Sequence, residues 1–177
     1  MEDGILIRRG TEAHLESIIA IGLSVWVDTY SPQGLSLEVS QYLGRKFSVH
    51  AITALLSSED CAFFMAEKEG RVVGYTLLKR HVLCPLSEDL DVEVATLYVL
   101  RGAQGLGIGG KLFRTGLEFA VSEWGSDRCW LRMSAKNLAA RKFYASHGFE
   151  LFGSIWIEFD GAQSENFLLA SKSHAAF

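Results

Sequence analysis

Apolar spacing in the first third of the chain predicts one strand followed by helices. The apolar run at residues 5–7 precedes two arginines and predicts a short β-strand. Apolar residues between positions 18 and 26 recur at helical spacing and predict an amphipathic helix. Pro32 and Gly34 end this pattern, and the apolar positions from 37 to 55 predict one or two further helices. The opening therefore has the order β, α, α.

Strands dominate the middle of the chain. Two β-rich runs, residues 61–66 and 72–79, are joined by a polar loop that contains Gly70, and this pattern predicts an antiparallel hairpin. Residues 81–91 include a proline and an acidic cluster, so we expect a loop there. Residues 92–100 predict a further strand.

Helical and strand patterns alternate in the next part of the chain. Apolar residues at helical spacing predict a helix of about three to four turns that starts near Lys111. Residues 129–133 predict a strand. Asn137 is a suitable N-cap for the helix that follows, and Gly148 is a suitable end for it.

A hairpin closes the predicted fold. Residues 149–159 and 166–170 are β-rich runs separated by Asp160 and Gly161, which are typical of a tight turn. The complete order is β-α-α-β-β-β-α-β-α-β-β, which corresponds to an α/β protein of the α+β kind with about seven strands and about four helices.

Length and hydropathy predict a single domain over residues 1–177. A chain of 177 residues with 49% apolar residues can build one substantial core. The longest apolar stretch, residues 18–27, is interrupted by Gly22 and Ser24 and is far shorter than the roughly 20 residues of a membrane span. The first basic residues follow a very short apolar run instead of preceding it, unlike those of a signal peptide. We therefore expect no membrane segment and a cytoplasmic location.

Charge and cysteine content exclude several classes of partner. The net charge is −4 and the basic residues are scattered, which argues against a nucleic-acid surface and is compatible with a cationic substrate. Cys61, Cys84 and Cys129 are widely spaced and have no partners at metal-ligand spacing. We expect buried, unreactive thiols and no metal site.

A glycine-rich loop lies between the strand that ends near Leu100 and the helix that starts near Lys111. Residues without a Cβ atom let the backbone approach a ligand closely, and the amides at a helix N-terminus favour a phosphate. The loop consists of Gln104, Gly105, Leu106, Gly107, Ile108, Gly109 and Gly110.

Three general interpretations of this loop compete. A dinucleotide-binding fingerprint belongs in the first βα turn, whereas this loop follows four predicted strands and has other spacing. A nucleotide triphosphatase loop would end in Gly-Lys-Ser or Gly-Lys-Thr, whereas Leu112 follows Lys111. A plain tight turn has no need of so many glycines.

The spacing Gln104-x-x-Gly107-x-Gly109 matches the Gln/Arg-x-x-Gly-x-Gly/Ala signature of the GNAT acetyltransferases. A second block, which runs from Asn137 to residue 149, resembles the C-terminal motif of that family at the expected distance. The resemblance implies a mixed, mostly antiparallel and twisted sheet flanked by helices. It also implies transfer of an acetyl group from acetyl-CoA, as cosubstrate, to an amine.

The same resemblance assigns the residues of a cofactor site. Backbone groups of Leu97, Tyr98 and Val99 would hold the pantetheine arm, and one N–H group would polarise the thioester carbonyl. The amides of residues 104–110 would bind the pyrophosphate. Asn137 is similar to a residue that contacts the cofactor, although its role as N-cap explains it almost as well.

Two side chains match catalytic positions of the family. Glu93 matches a general base that often acts through water, and its alternative is a solvated carboxylate at a strand end. Ala95 stands where some relatives have a second acid. Tyr144 matches the usual general acid, whose phenol faces the departing sulfur, and its alternative is a structural tyrosine packed on the sheet.

The acceptor is the least specified part of the prediction. Residues 28–30, followed by Tyr42 and Leu43, resemble the branch of the family that acetylates spermidine and spermine. The acidic residues 88, 89 and 91 would attract a polycation, or they belong to an ordinary solvated loop. A protein α-amine or lysine and an aminoglycoside-like drug are the alternative acceptors.

Two further expectations concern assembly and a non-enzymatic role. A catalytically idle domain that binds acyl-CoA is possible on the same fold, although the presence of both Glu93 and Tyr144 argues against it. Many GNAT proteins pair through their C-terminal strands, and the apolar runs 155–157 and 167–169 would suit a homodimer.

Overall fold

A computed structural model describes residues 4–172 of the chain. The remaining residues of the predicted domain, 1–3 and 173–177, lie outside this description. The strands are β1 (Ile5–Arg9), β2 (Cys61–Lys68), β3 (Arg71–Lys79), β4 (Glu93–Val99), β5 (Trp130–Ser134), β6 (Phe149–Phe159) and β7 (Ala162–Ser171). The α-helices are α1 (Leu15–Tyr30), α2 (Leu37–Lys46), α3 (Val49–Leu56), α4 (Ile108–Trp124) and α5 (Leu138–Ser146). Short 3-10 turns lie at Glu12–His14 and Arg101–Ala103.

The strands form one sheet with the order β1-β2-β3-β4-β5-β7-β6. β1 is antiparallel to β2, and β7 is antiparallel to both β5 and β6. β4 is parallel to β5, with Glu93 opposite Trp130. The predicted fold class, a mixed and mostly antiparallel sheet of about seven strands, is confirmed.

The segment between β1 and β2 contains three helices, where the sequence predicts two or three. Two serine caps divide its second part into α2 and α3. The Ser36 hydroxyl accepts a hydrogen bond from the Val39 amide, and the Ser48 hydroxyl accepts one from the Ala51 amide, each at 3.1 Å. Each cap satisfies an amide that has no intrahelical partner, so each starts a helix of its own.

Helix α4 is longer than its sequence pattern predicts. The amide of Lys111 already donates to the Gly107 carbonyl at 3.1 Å, and Ile108 is buried. The helix therefore begins at Ile108, three residues before the predicted start, and its 17 residues make about five turns. Gly109 and Gly110, predicted as loop residues, belong to its first turn.

Both hairpins turn on two residues with positive φ angles. These are Glu69 and Gly70, at 52° and 72°, and Asp160 and Gly161, at 55° and 68°. Two such residues in succession are typical of the turn whose twist matches that of paired strands. The predicted hairpin turns are therefore present, with strands that extend closer to the turns than the apolar runs indicate.

The described chain divides into two compact units. Unit 1 comprises Met1–Leu77 and Thr96–Gly116, and unit 2 comprises Leu78–Ala95 and Leu117–Phe177, in both cases as far as they are described. The single domain over residues 1–177 stays a prediction. None of the helices within residues 4–172 combines the length and the apolar character that crossing a membrane would require.

A glycine on α1 makes room for the core of unit 1. Phe47 and Tyr75 are buried, and both approach the face of α1 that Gly22 presents. A Cβ atom on Gly22 would meet the Phe47 ring at less than contact distance and would lie 2.9 Å from the Tyr75 hydroxyl. The close packing of α1 therefore depends on this glycine.

The core of unit 2 packs the loop between β3 and β4 against two strands. Cys84 and Leu90 of that loop are buried against Trp130, Leu168 and Ala170. The Trp130 indole also donates a hydrogen bond to the Val82 carbonyl at 2.9 Å. The predicted loop between β3 and β4 thus packs against β5 and β7.

We predict that Gly22→Ala lowers the free energy of unfolding by about 1–3 kcal/mol, because the added methyl group overpacks against Phe47. Urea denaturation measures this change. Gly44→Ala is the matched control, since Gly44 lies in α2 with no atom within 4 Å of its would-be Cβ. That substitution is expected to raise the free energy of unfolding by about 0.5–1 kcal/mol. Equal effects of the two substitutions would contradict this account of the core.

Candidate active site

Strand β4 directs alternate main-chain groups to opposite sides. The Leu100 amide donates to the Val73 carbonyl of β3 at 2.9 Å, and the Tyr98 carbonyl lies 2.6 Å from the position of a Cβ on Gly74. Main-chain groups alternate in direction along a strand, so those of Leu97 and Val99 point away from β3. Of the three residues predicted to hold a pantetheine arm, Tyr98 has its carbonyl on the β3 side and its ring 5.7 Å from that of Tyr75.

The glycine-rich loop is anchored to the end of β4. The Gln104 side-chain amide donates to the Val99 carbonyl at 3.0 Å. Gly105 and Gly107 then adopt φ angles of 80° and 75°, which residues with a Cβ rarely adopt. A Cβ on either glycine would meet no atom within 4 Å, so conformation and not space requires glycine at both positions.

The loop and the first turn of α4 present a run of amides to a ligand. Within residues 4–172, the amides of Gly105, Leu106 and Gly107 have no hydrogen-bond acceptor, and these three residues are exposed. The amides of Ile108, Gly109 and Gly110 precede the first intrahelical bond. Unpaired amides at the positive end of a 17-residue helix are suited to bind a diphosphate.

Glu93 is a half-buried residue at the start of β4, in unit 2. It stands opposite Trp130 in the parallel ladder between β4 and β5. Side chains two residues apart in a strand lie on the same face, and the residue two positions after Glu93 is Ala95. That position therefore supplies no second carboxylate.

Tyr144 is a half-buried residue on α5, also in unit 2. Its ring lies 5.3 Å from that of Phe143 and 6.5 Å from that of Phe149. Phe149 is fully buried, so one side of the tyrosine rests on the core while the residue keeps an exposed part.

Asn137 caps α5, as its position in the sequence predicts. Its Oδ1 accepts a hydrogen bond from the Ala140 amide at 3.0 Å. Its Nδ2 has no acceptor among the described residues and can donate to a ligand. Asn137 and Tyr144 are seven residues apart, so they lie on the same face of α5 two turns from each other.

His147 packs at the C-terminal end of α5. Its Nδ1 lies 2.8 Å from the Phe143 carbonyl, one turn earlier, and its ring packs 4.3 Å from that of Phe143. The imidazole thereby completes the C-terminus of α5, and Gly148, with a φ angle of 80°, ends the helix.

Main-chain hydrogen bonds close the base of the acidic loop. The Val82 amide donates to the Asp91 carbonyl at 2.9 Å, and the Cys84 amide donates to the Leu90 carbonyl at 2.7 Å. Asp91 is also paired with His81, whose Nδ1 lies 3.7 Å from its Oδ2. The carboxylates at positions 88 and 89 are exposed at the tip.

The predicted site residues fall into two groups. Unit 1 contains Leu97, Tyr98 and Val99 together with the loop 104–110, whereas unit 2 contains Glu93, Asn137 and Tyr144. Sequence reasoning missed Gly74 of β3, which lets the β4 backbone approach. The sequence feature that could have identified Gly74 is its place inside a β-rich run. A glycine in a strand often marks a site where another segment of backbone comes close.

The three cysteines lie in the interior of the protein. Cys61, Cys84 and Cys129 are free and buried, as predicted, and burial raises the pKa of the Cys129 thiol to about 12. No group of three or more His, Cys, Asp and Glu side chains within residues 4–172 is arranged to hold a metal ion.

Comparison with known proteins gives a consistent result. The model of the acetyltransferase (GNAT) family matches residues 26–149. An uncharacterized N-acetyltransferase of Mycobacterium tuberculosis is 33% identical over 128 residues, which cover 72% of this chain and 77% of that protein.

Two solved structures have the same fold. The PaiA N-acetyltransferase of Thermoplasma acidophilum, in complex with coenzyme A, has a TM-score of 0.73 and 22% identity, covering 95% of this chain and 98% of that one. A ribosomal-protein-alanine N-acetyltransferase of Brucella melitensis has a TM-score of 0.66 and 25% identity, covering 94% and 98%.

We predict that Asn137→Ala lowers the free energy of unfolding by about 1 kcal/mol, because the Ala140 amide loses its acceptor. Thermal and urea denaturation measure the change. Asn137→Asp is the matched control, since a carboxylate caps a helix as well as an amide does, and its stability should stay near that of the unchanged protein. If Asn137→Asp lowers the free energy of unfolding as much as Asn137→Ala does, then Asn137 does not stabilise the protein by capping α5.

Proposed function

The chain belongs to the GNAT acetyltransferase family, and we propose that it transfers the acetyl group of acetyl-CoA to a primary amine by direct attack on the thioester. Acetyl-CoA is its cosubstrate. The observation that carries the proposal is the run of amides from Gly105 to Gly110, all of which precede the first intrahelical bond of α4 and the first three of which belong to exposed residues. Such a run suits the diphosphate of coenzyme A. The single-domain organisation is part of the proposal, because β3 and β4 each contribute residues to both units.

Each part of the cosubstrate has proposed partners. The amides of the loop 104–110 would bind the diphosphate, with Gln104 holding the loop to β4 through the Val99 carbonyl. The main-chain groups of Leu97 and Val99 that point away from β3 would bind the pantetheine arm. Asn137 would contribute its Nδ2 while its Oδ1 caps α5.

Proton transfer is assigned to two side chains. Acetyl-CoA supplies an activated acetyl thioester when it is bound. An amine is mostly protonated at neutral pH, so Glu93 would remove its proton, directly or through water, before nitrogen attacks. An amide of β4 would stabilise charge on the carbonyl oxygen, and the Tyr144 phenol would donate a proton to the sulfur as the carbon–sulfur bond breaks. The nitrogen would lose its second proton in the same collapse, and that proton would restore the Tyr144 phenol. Ala95 leaves Glu93 as the proposed base.

A polyamine such as spermidine is the proposed acceptor. The exposed carboxylates of Glu88 and Asp89 lie on a loop whose base is closed by main-chain hydrogen bonds, and their negative charge would attract a polycation. One similar structure is that of a ribosomal-protein-alanine N-acetyltransferase, which supports including N-terminal peptides among the candidates.

We predict that acetyl-CoA turnover requires one class of amine. Release of coenzyme A is measured with spermidine, lysine peptides, peptides with N-terminal alanine, and aminoglycosides. The buried thiols keep the background low in a thiol assay. Tyr144→Phe and Glu93→Gln should each lower kcat by about 100-fold or more, since each removes a proton donor or acceptor.

Glu118→Gln is the control for Glu93→Gln, because Glu118 is an exposed glutamate on α4. The kcat of the Glu118→Gln variant should equal that of the unchanged protein. Undiminished rates in both site variants would refute the assigned roles. If no amine of the panel supports turnover while coenzyme A still raises the melting temperature, the result favours an acceptor outside the panel or a domain that binds acyl-CoA without catalysis.

A homodimer is proposed to form through the β6 edge. β6 ends the strand order, so one of its sides has no neighbouring strand among residues 4–172, and Trp156 on it is 65% exposed. Leu168 and Leu169, which the sequence also favours for pairing, are buried inside unit 2. The exposed part of the hairpin, and not its apolar core, is therefore the proposed contact.

We predict that the protein sediments as a dimer at micromolar concentration and that Trp156→Lys shifts it to a species of 19.6 kDa. A buried lysine charge at the contact would oppose association. Leu37→Lys is the control, since Leu37 is an exposed apolar residue on α2, away from the hairpin in sequence, and should leave the dimer intact. If the unchanged protein sediments only as a monomer at this concentration, the proposed dimer is wrong.

A further inference from the structure

Thr76 is a buried polar residue that no step above uses. It lies in β3 with 0% of its surface exposed. Its hydroxyl donates a hydrogen bond to the Thr96 carbonyl of β4 at 2.8 Å. A buried hydroxyl needs such a partner, so the bond is expected on energetic grounds alone. Its location is informative, because Thr96 directly precedes Leu97 of the proposed cofactor strand.

The bond joins a side chain of β3 to a main-chain carbonyl of β4. Carbonyl groups in a sheet point along the plane towards the neighbouring strand, whereas side chains stand roughly perpendicular to it. A carbonyl oxygen has two lone pairs, so the Thr96 oxygen can accept from the Thr76 hydroxyl in addition to the strand ladder. The hydroxyl therefore restrains the tilt of the peptide group between Thr96 and Leu97.

A second residue of β3 acts on the next equivalent peptide group. Gly74 is two residues before Thr76, so both positions belong to the same face of β3. A Cβ on Gly74 would lie 2.6 Å from the Tyr98 carbonyl oxygen and 3.2 Å from the α-carbon of Val99. β4 thus lies close against this part of β3. A hydrogen bond joins the two strands at Thr96, and the lack of a side chain on Gly74 makes room for the Tyr98 carbonyl.

The orientation of the Thr96 carbonyl fixes that of the Leu97 amide. A trans peptide group is planar, and its C=O and N–H point in opposite directions. Because the Thr96 carbonyl is held on the β3 side, the Leu97 N–H points away from β3. A hydrogen bond to the carbonyl also polarises the peptide group and strengthens its N–H as a donor.

We propose that Thr76 is a positioning residue of the acetyl transfer: its hydroxyl orients and polarises the peptide group whose Leu97 N–H stabilises charge on the thioester oxygen. This inference rests on the proposed function. Thr76 acts through the peptide group and touches neither substrate. Because charge on that oxygen develops during the reaction, loss of the Thr76 hydroxyl should slow turnover more than it weakens cosubstrate binding.

Thr76→Val tests the proposal, with Thr76→Ser as the matched control. Valine keeps the branched shape and lacks the hydroxyl, whereas serine keeps the hydroxyl. Loss of one oxyanion donor typically costs about 100-fold to 1,000-fold in kcat, so a misdirected donor should cost about 10-fold to 100-fold. We expect that loss in Thr76→Val, with a KM for acetyl-CoA within about 2-fold and a kcat for Thr76→Ser within about 3-fold of the unchanged protein.

A purely structural role predicts another result. Both variants would then retain kcat while the melting temperature of Thr76→Val falls, and this outcome would overturn the proposal. A rise in KM without loss of kcat would overturn it as well. If Thr76→Val does not fold, Thr76→Ala removes the same hydroxyl with a smaller side chain and is judged by the same kcat and KM criteria.

A measurement without substrate separates this inference from the proposed function. In protein labelled with ¹⁵N-leucine, the Leu97 amide resonance is assigned by its loss in Leu97→Ile. Its proton shift should move upfield in Thr76→Val, because the peptide group is less polarised, and should be restored in Thr76→Ser. An unmoved resonance refutes the positioning role even if acetyl transfer is established. A moved resonance in a protein that acetylates no amine supports the coupling and refutes the proposed function alone.

Discussion

Alternate main-chain N–H and C=O groups of β4 point towards β3 and away from it. This alternation constrains the rest of unit 1. The main-chain groups of Thr96, Tyr98 and Leu100 face β3, and those of Thr96 and Leu100 form hydrogen bonds to it. Those of Leu97 and Val99 face away. A strand inside a sheet normally uses both sets for pairing, so binding a ligand through one set requires that the other set hold the strand in place.

The elements after β4 follow from how that strand ends. The Val99 carbonyl accepts a hydrogen bond from the Gln104 side chain, which fixes the start of the loop. Positive φ angles at Gly105 and Gly107 then turn the chain so that α4 can begin at Ile108. Ile108 is buried and holds the helix start against the core, while the residues before it stay exposed. A fixed helix end with exposed amides is preorganised for an anion, so little ordering is needed when one binds.

Local patterns predict most of the elements, because they depend on neighbouring residues. The positions of β4, the loop 104–110 and α5 follow from apolar periodicity, glycine content and the Asn137 cap. The division of the segment 37–55 into two helices depends on Ser36 and Ser48, whose hydroxyls serve as caps only in certain backbone conformations. Such residues do not interrupt an apolar pattern, so the pattern alone allows either one helix or two.

The pairing of β3 with β4 could not be predicted in the same way. The loop between them is too long for a turn type to set the register, and a shift of one residue would move every side chain to the other face. Gly74 and Thr76 acquire their roles only in the observed register, opposite residues 96–99. The sequence shows a glycine and a threonine in a strand and does not show which carbonyl each one meets.

The proposed binding site consists of main-chain groups, and this accounts for the residue types that the family signature contains. Any residue except proline supplies an amide, so Leu97 and Val99 carry no chemical signature of their own. In the signature, the constraints fall on Gly107, which permits a conformation, and on Gln104, which holds the backbone through the Val99 carbonyl. Thr76 lies outside the signature and holds the backbone through the Thr96 carbonyl. A change in the residues around an amide can therefore alter catalysis while every ligand-contacting side chain stays the same.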